Sequence, residues 1–361
     1  MIRERLTAQL LAGTPARSAT EVAARLLAVQ AQDPRGARLA VRARSAGVTA
    51  ADVDRALTVD RSLVVSWLNR GTLHLVRRED YGWLHALLTP PLRAGSARRL
   101  AQTGVTPAAA DRAVAVIERS LSEDGPLTRL QLRERIARDG VPVAGQALVH
   151  LLFLASLRGV AVRGPMAGRE QAYALTRAWL GAPAPVERDR ALAELARRYL
   201  AGHGPSSDRD LARWAGLPLR DAHRGLSAIA GELRERSDGL TDLARRPAAA
   251  ALPRPRLLGA FEPVLLGWRS REAILDGHDA AIVTGGLFRP FALVRGRAVA
   301  SWRIAGGAVE LQPFAQLSQG DVTELLADGD RVMRFLALGR GGGAASIAPP
   351  GRDSSAGRAH D

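Results

Sequence analysis

The chain has 361 residues, 47% of them hydrophobic, and no apolar run near the roughly 18 residues of a membrane span. It contains neither cysteine nor lysine, which excludes disulfides, thiolate metal sites, cysteine nucleophiles and lysine Schiff bases, leaving only the N-terminal amine to form an imine. The 51 basic residues, all arginine, outweigh 36 acidic ones by a formal +15, which favours a polyanionic partner such as nucleic acid, although the arginine bias also fits GC-rich coding.

In chain order, residues 1–95 open with a segment in which Ser18 or Thr20 is placed to cap EVAARLLAVQ. The run LLAVQAQDP (26–34) then closes an apolar helix with Gln30 and Gln32 just before Pro34, and TLHLV after Arg70-Gly71 reads as a strand. Residues 105–182 repeat the plan more clearly. AADRAVAVIERSLS is an amphipathic helix, Gly125-Pro126 a break, and Thr128 a cap for RLQLRERIARDG. The apolar helix QALVHLLFLASLRG follows, and VAVRG and QAYALT alternate around GPMAGRE as a hairpin wing. A third copy covers 186–250, with Ser206 or Ser207 capping DRDLARWAGL and GELRERSDGLTDL as the hairpin. Three helix-turn-helix units, each followed by a wing, predict tandem winged helices.

After Pro247, PAAAALPRPR reads as a linker, and PVLLGW, AAIVTG, PFALV and AVASWRI read as strands. Residues 256–338 are therefore expected to form a small antiparallel β-domain with a closing helix over 319–338, and residues 339–361 a disordered tail. The N-terminus MIRERLTAQLLAG is too short and charged for a signal peptide, so a cytoplasmic protein without membrane attachment is expected.

The seven histidines form no H-x-H or H-E-x-x-H pattern, and there is no Walker loop and no G-x-S-x-G elbow, so no metal or cofactor is expected. Helix-turn-helix units bring arginines to phosphates and guanine edges, although winged helices also serve as protein-interaction modules. Arg70, Thr72 and His74 form one candidate group. On a strand, Thr72, His74 and Val76 share a face, where they could hold a phosphate or orient a water, or be structural. Trp67, Trp83, Trp268 and Trp302 could stack on bases or anchor cores. Glu262 could be a buried ion-pair member or line a groove.

Gln30 and Gln32 pose the sharpest question. In a continuous helix, residues two apart point about 200° apart; in an extended segment they share a face. A helix ending near Gln30 would let both amides converge, and the alternative is that they cap the helix C-terminus. Asp33 could activate a water or cap a turn.

AVQAQDP (28–34), NRGTLHLV (69–76), GPSSDRDLARWAGL (204–217) and FEPVLLGWRSR (261–271) resemble the AlkZ-like family of winged-helix DNA glycosylases, in family order over about residues 5–310. The resemblance implies excision of N7-alkylated guanine, including bulky adducts and interstrand crosslinks, with Gln30 and Gln32 as the catalytic pair. Retention of Q-x-Q resembles the resistance-associated branch; a related branch has aspartate second. Glu262 departs from the aspartate expected there, which puts a role for its carboxylate in doubt. The expected fold class is α+β, mainly α: three tandem winged-helix domains with a small C-terminal antiparallel β-domain, in a C-shaped architecture that wraps DNA.

The expected activity is that of a monofunctional glycosylase, without lyase chemistry, acting as a monomer on double-stranded DNA containing alkylated guanine. Its role would be repair or self-resistance to a DNA-alkylating natural product. Asp33, Arg70, Thr72, His74 and Glu262 are the candidate supporting residues, and Arg35, Arg38, Arg269 and Arg271 the candidate DNA contacts. The competing readings are a DNA-binding regulator without catalysis and a protein that sequesters a genotoxin.

Overall fold

Several helix starts in this chain are set by side chains that fold back onto their own backbone. In the computed structural model, which describes residues 1–168, 170–182, 184–338 and 346–347, Ser18 Oγ accepts from Glu21 N at the head of helix Ala19–Leu26. Thr49 with Asp52, Thr128 with Gln131, and Ser207 with Asp210 form reciprocal capping boxes before helices Ala50–Thr58, Arg129–Arg138 and Asp208–Ala215. These pairings satisfy amide groups that a helix start leaves open, and they fix where each helix begins.

Five strands form the first sheet: β1 (Val29–Gln30), β2 (Leu63–Trp67), β3 (Leu73–Arg77), β4 (Ala161–Ala167) and β5 (Glu170–Leu175). Their order is β1-β3-β2-β4-β5, antiparallel throughout. The β4–β5 pair is the hairpin expected around GPMAGRE. The pairing of Val65 with Arg163 joins it to β2, so residues 1–95 and 105–182 contribute to one continuous sheet. Both faces of this sheet are covered. Val29, Ala31, Val65, Leu73 and Leu75 enter one core, while Leu27, Ala28, Val64 and Val76 enter another beside helix Arg188–His203. The alternation expected for TLHLV holds, but its polar face is interior rather than exposed.

A short hairpin, β6 (Leu233–Glu235) with β7 (Thr241–Leu243), follows helix Leu219–Ala228. Beyond it lie β8 (Arg256–Leu258), β9 (Val283–Thr284), β10 (Leu287–Phe288), β11 (Phe291–Val294), β12 (Arg297–Ala305), β13 (Ala308–Pro313) and β14 (Ser346–Ile347). The second large sheet runs β14-β13-β12-β11-β8; its pairs are antiparallel except that β14 adds in parallel to β13. Helix Gln319–Phe335 packs on this sheet, capped by Ser318.

Two expected strands are different elements. PVLLGW begins as a short helix, Pro263–Leu266, because Glu262 caps it by accepting from Val264 N and Pro263 occupies the first helical position. AAIVTG starts in helix Asp279–Ile282 and becomes β9 only at Val283. The tail expected to be disordered lies outside the described residues, apart from Ser346 and Ile347. The architecture as a whole mixes helix and sheet, with helix predominating. No helix among the described residues is long and apolar enough to cross a membrane.

Candidate functional site

Helix Ala19–Leu26 stops before the glutamines. Leu27 adopts φ 64°, a conformation that breaks the helix, and the chain passes into β1. Gln30 pairs with His74 of β3, and the next residue continues the ladder, with Ala31 N donating to Leu73 O at 2.8 Å. The helix thus ends before Gln30, which lies on a strand whose ladder reaches Ala31 before the chain bends at Gln32 and Asp33. Gln30 Oε1 accepts from Thr72 Oγ1 at 3.1 Å, and Gln32 Oε1 accepts from Leu73 N at 3.3 Å. Both carbonyls are thus anchored on two consecutive residues rather than on the end of the preceding helix. Gln30 is buried and Gln32 exposed, so the pair runs from the interior to the surface.

Asp33 is the N-cap of helix Pro34–Arg42, its Oδ1 accepting from Arg35 N at 2.8 Å and Gly36 N at 3.2 Å. Pro34 at the first helical position completes that start. A Cβ on Gly36 would lie 2.3 Å from Ala260 O, so only glycine lets the helix meet the segment leading into FEP.

On the other side, Asn69 Nδ2 and Arg70 Nη1 both donate to Trp214 O at 3.3 Å, and Arg70 Nη1 also donates to Arg213 O at 3.0 Å. These carbonyls close helix Asp208–Ala215, where a cation is favoured. Gly216, at φ 72°, lies against Arg70; a Cβ on this glycine would stand 2.9 Å from Arg70 N. Burial, then the nearby Arg213 and Arg271, lower the Arg70 guanidinium to about 10. Burial and Arg70 likewise push His74 down to about 3, so its ring is neutral and holds Thr72 O through Nδ1 at 3.0 Å.

The remaining sequence candidates divide. Arg35 and Arg269 are exposed, Arg269 N donating to Asp210 Oδ1 at 2.9 Å. Arg271 stands over the Phe288 ring at 5.0 Å and donates to Leu265 O. Arg38 is buried and ion-paired with Asp54. Glu262 is fully buried and its Oε1 is ion-paired with Arg44, so it is a buried ion-pair member rather than a groove-lining carboxylate. Trp67, Trp268 and Trp302 are buried core anchors and Trp83 packs against a core. Arg213 escaped the sequence reading, although its exposed place in DLARWAGL, between residues that face the core, could have marked it. No group of histidine and carboxylate side chains suited to a metal ion occurs among the described residues.

Four separated motifs thus pack around one another: QAQDPRG against Ala260 and Thr72, and NRGT against Trp214 and Gly216. A family model described as DNA glycosylase AlkZ-like matches residues 23–335. The chain belongs to this family and is a DNA glycosylase. It is 28% identical over 360 residues to the interstrand DNA cross-link repair glycosylase of Streptomyces sahachiroi, covering 93% of this chain and 95% of that protein. The solved structure of Streptomyces sahachiroi DNA glycosylase AlkZ superposes with a TM-score of 0.75 at 26% identity, covering 96% of this chain and 98% of the other. Membership in the AlkZ-like family makes DNA the partner of this chain and accords with its excess of arginine.

Proposed function

We propose that this AlkZ-like glycosylase hydrolyses the N-glycosidic bond of N7-alkylguanine in duplex DNA, bulky adducts and interstrand crosslinks included, and leaves an abasic site. The observation that carries the reading is that the helix ends before the glutamines and both of their carbonyls are anchored on the adjacent residues Thr72 and Leu73. N7 alkylation already makes the guanine cationic, so the base departs neutral and needs little protonation. The sugar becomes oxocarbenium-like as the bond breaks. Fixed amide dipoles stabilise that charge and hold a water on the face opposite the leaving base. Each carbonyl oxygen has a second lone pair free for this after accepting its anchoring bond. A neutral His74 beneath them adds no competing positive charge.

Arg35, Arg70, Arg213, Arg269 and Arg271 bind phosphates around this site, and Arg38 supports the helix through Asp54. The hairpins β2–β3, β4–β5 and β6–β7 follow helical segments in the manner of wings, supporting three tandem winged helices that wrap the duplex as a C-shaped monomer. The cross-link repair named for the Streptomyces relative supports crosslinks among the substrates, with repair or self-resistance to an alkylating natural product as the role. The absence of lysine supports hydrolysis without strand cleavage.

Incubation with duplex carrying N7-methylguanine tests the proposal. Wild type releases the base, and strands break only after alkali. Gln30→Ala and Gln32→Ala each lose on the order of 10²-fold in rate while retaining DNA affinity. No base release from any alkylated duplex would overturn it, in favour of a non-catalytic DNA binder or a genotoxin-sequestering protein.

A further inference from the structure

Most arginines of this chain that touch carboxylates are neutralised locally. Arg197 lies on Glu194 and Glu232, and Arg236 on Glu4 and Asp238. A cleft of about 590 Å³ breaks that pattern. Arg42, Arg254, Arg256, Arg331 and Arg334 line it, brought together from the end of helix Pro34–Arg42, the segment entering β8, and helix Gln319–Phe335. Asp328 is the single carboxylate among the lining residues, so the lining carries four more positive charges than negative ones.

Asp328 is also fully engaged. It is buried, its Oδ1 meets Arg42 Nη2 and Arg331 Nε, and its Oδ2 accepts from Leu257 N at 2.7 Å. Arg256 donates to Ala43 O at 2.6 Å, and burial together with Arg42, Arg44 and Arg331 lowers its guanidinium. Arg254 is exposed and makes no hydrogen bond or ion pair among the described residues; Arg334 is exposed beside it in the same lining. Guanidinium groups fixed by a carboxylate and backbone carbonyls, with others free at the mouth, suit a tetrahedral dianion or a phosphodiester.

We infer that this cleft is a phosphate-binding site separate from the glutamine pair. Helix Pro34–Arg42 connects the two: its N-terminus follows Gln32 and Asp33, and its last residue enters the cleft, nine residues or about 13 Å away. A phosphate there is either part of the DNA substrate outside the lesion or a free anion. The site follows from the charge arrangement alone and does not depend on which base the enzyme excises.

The test compares wild type with Arg254→Ala/Arg334→Ala, and with Arg112→Ala/Arg119→Ala, which removes the same charge from the exposed face of another helix. Circular dichroism and unfolding in chloride control for folding. In one arm, inorganic phosphate and pyrophosphate are titrated at constant ionic strength; a free-anion site raises the unfolding midpoint of wild type and of the Arg112/Arg119 variant but not of the cleft variant. In the other, affinity for undamaged duplex is measured against salt; if the cleft holds the DNA backbone, the cleft variant's log–log slope falls by about one for each phosphate it no longer neutralises. A cleft-specific response in either arm supports the site and identifies the source. If the cleft variant matches the Arg112/Arg119 variant in both arms, the inference is wrong. Base release plays no part in the readout, so failure here leaves the glycosylase proposal standing, and the reverse.

Discussion

Thr72 has one hydroxyl proton and two acceptors within reach, Gln30 Oε1 at 3.1 Å and Asn69 O at 3.0 Å. Asn69 O already accepts from Thr72 N, so the proton is better used on the glutamine. Thr72 then fixes the orientation of the Gln30 amide, and in the proposed reaction this sets which end faces the sugar. Thr72→Val keeps the volume and removes the donor. The expected loss is about 1 kcal/mol of transition-state stabilisation, roughly fivefold in kcat, with DNA affinity retained and Thr72→Ser close to wild type. A Thr72→Val enzyme with unchanged kcat would remove Thr72 from the site. Gln30 and Gln32 are legible in the sequence because two amides at the end of an apolar run stand out. Thr72 is legible only as one of a polar trio, since its hydrogen bond spans 42 positions. Glu262 shows the reverse case: its buried pairing with Arg44, 218 positions away, cannot be read locally.

At the scale of elements, the glutamine segment depends on how a helix is stopped and how the next one begins. Leu27 at φ 64° and Arg70 at φ 55° both flank the site, and holding non-glycine residues there costs on the order of 1 kcal/mol or more each. Such positions persist when packing over-determines them; Leu27 is fully buried. Helix Pro34–Arg42 is located by Asp33, Pro34 and the close approach of Gly36 to Ala260. Gly36→Ala must displace that backbone, because its Cβ would meet a carbonyl oxygen rather than a flexible side chain. The expected result is a loss of about 1–3 kcal/mol in thermal or denaturant unfolding, with base release falling further than stability because Gln32 moves with the helix. Wild-type unfolding and turnover would show that the approach is not tight. Caps are the most legible elements, since each is a local pairing; PVLLGW reads as a strand only while Glu262 is overlooked as its cap.

For the whole molecule, pH is the most direct probe of how the buried polar groups are held. His74 and His203 are both pushed down to about 3, chiefly by burial, with Arg70 acting on the first and Arg44, Arg246 and Arg5 on the second. Between that value and the ordinary 6.5, the unfolded chain binds protons that the folded chain does not. Stability is therefore unaffected by these groups above pH 6.5 and falls as the pH drops below it, by about 1.4 kcal/mol per pH unit for each histidine. Denaturant unfolding of wild type and of His203→Gln between pH 7 and 5 measures this, with the variant losing the His203 share of the slope while His74, His85 and His150, also pushed down by burial, keep theirs. Equal slopes would mean that His203 is not held neutral. Activity, by contrast, should show no titration of His74 across this range.

The sequence by itself determined the helix caps, the hairpins β4–β5 and β6–β7, the family motifs and the absence of lysine and cysteine chemistry. Each of these is a matter of residue type or of pairings between near neighbours. Only the tertiary structure decided that β2 and β4 join residues 1–95 and 105–182 in one sheet, that Gln30 and Gln32 rest on Thr72 and Leu73, that Glu262 neutralises Arg44, and that five arginines share one cleft. Those pairings cross tens to hundreds of positions, and burial on both faces of a sheet is set by what packs against it, which no local pattern specifies.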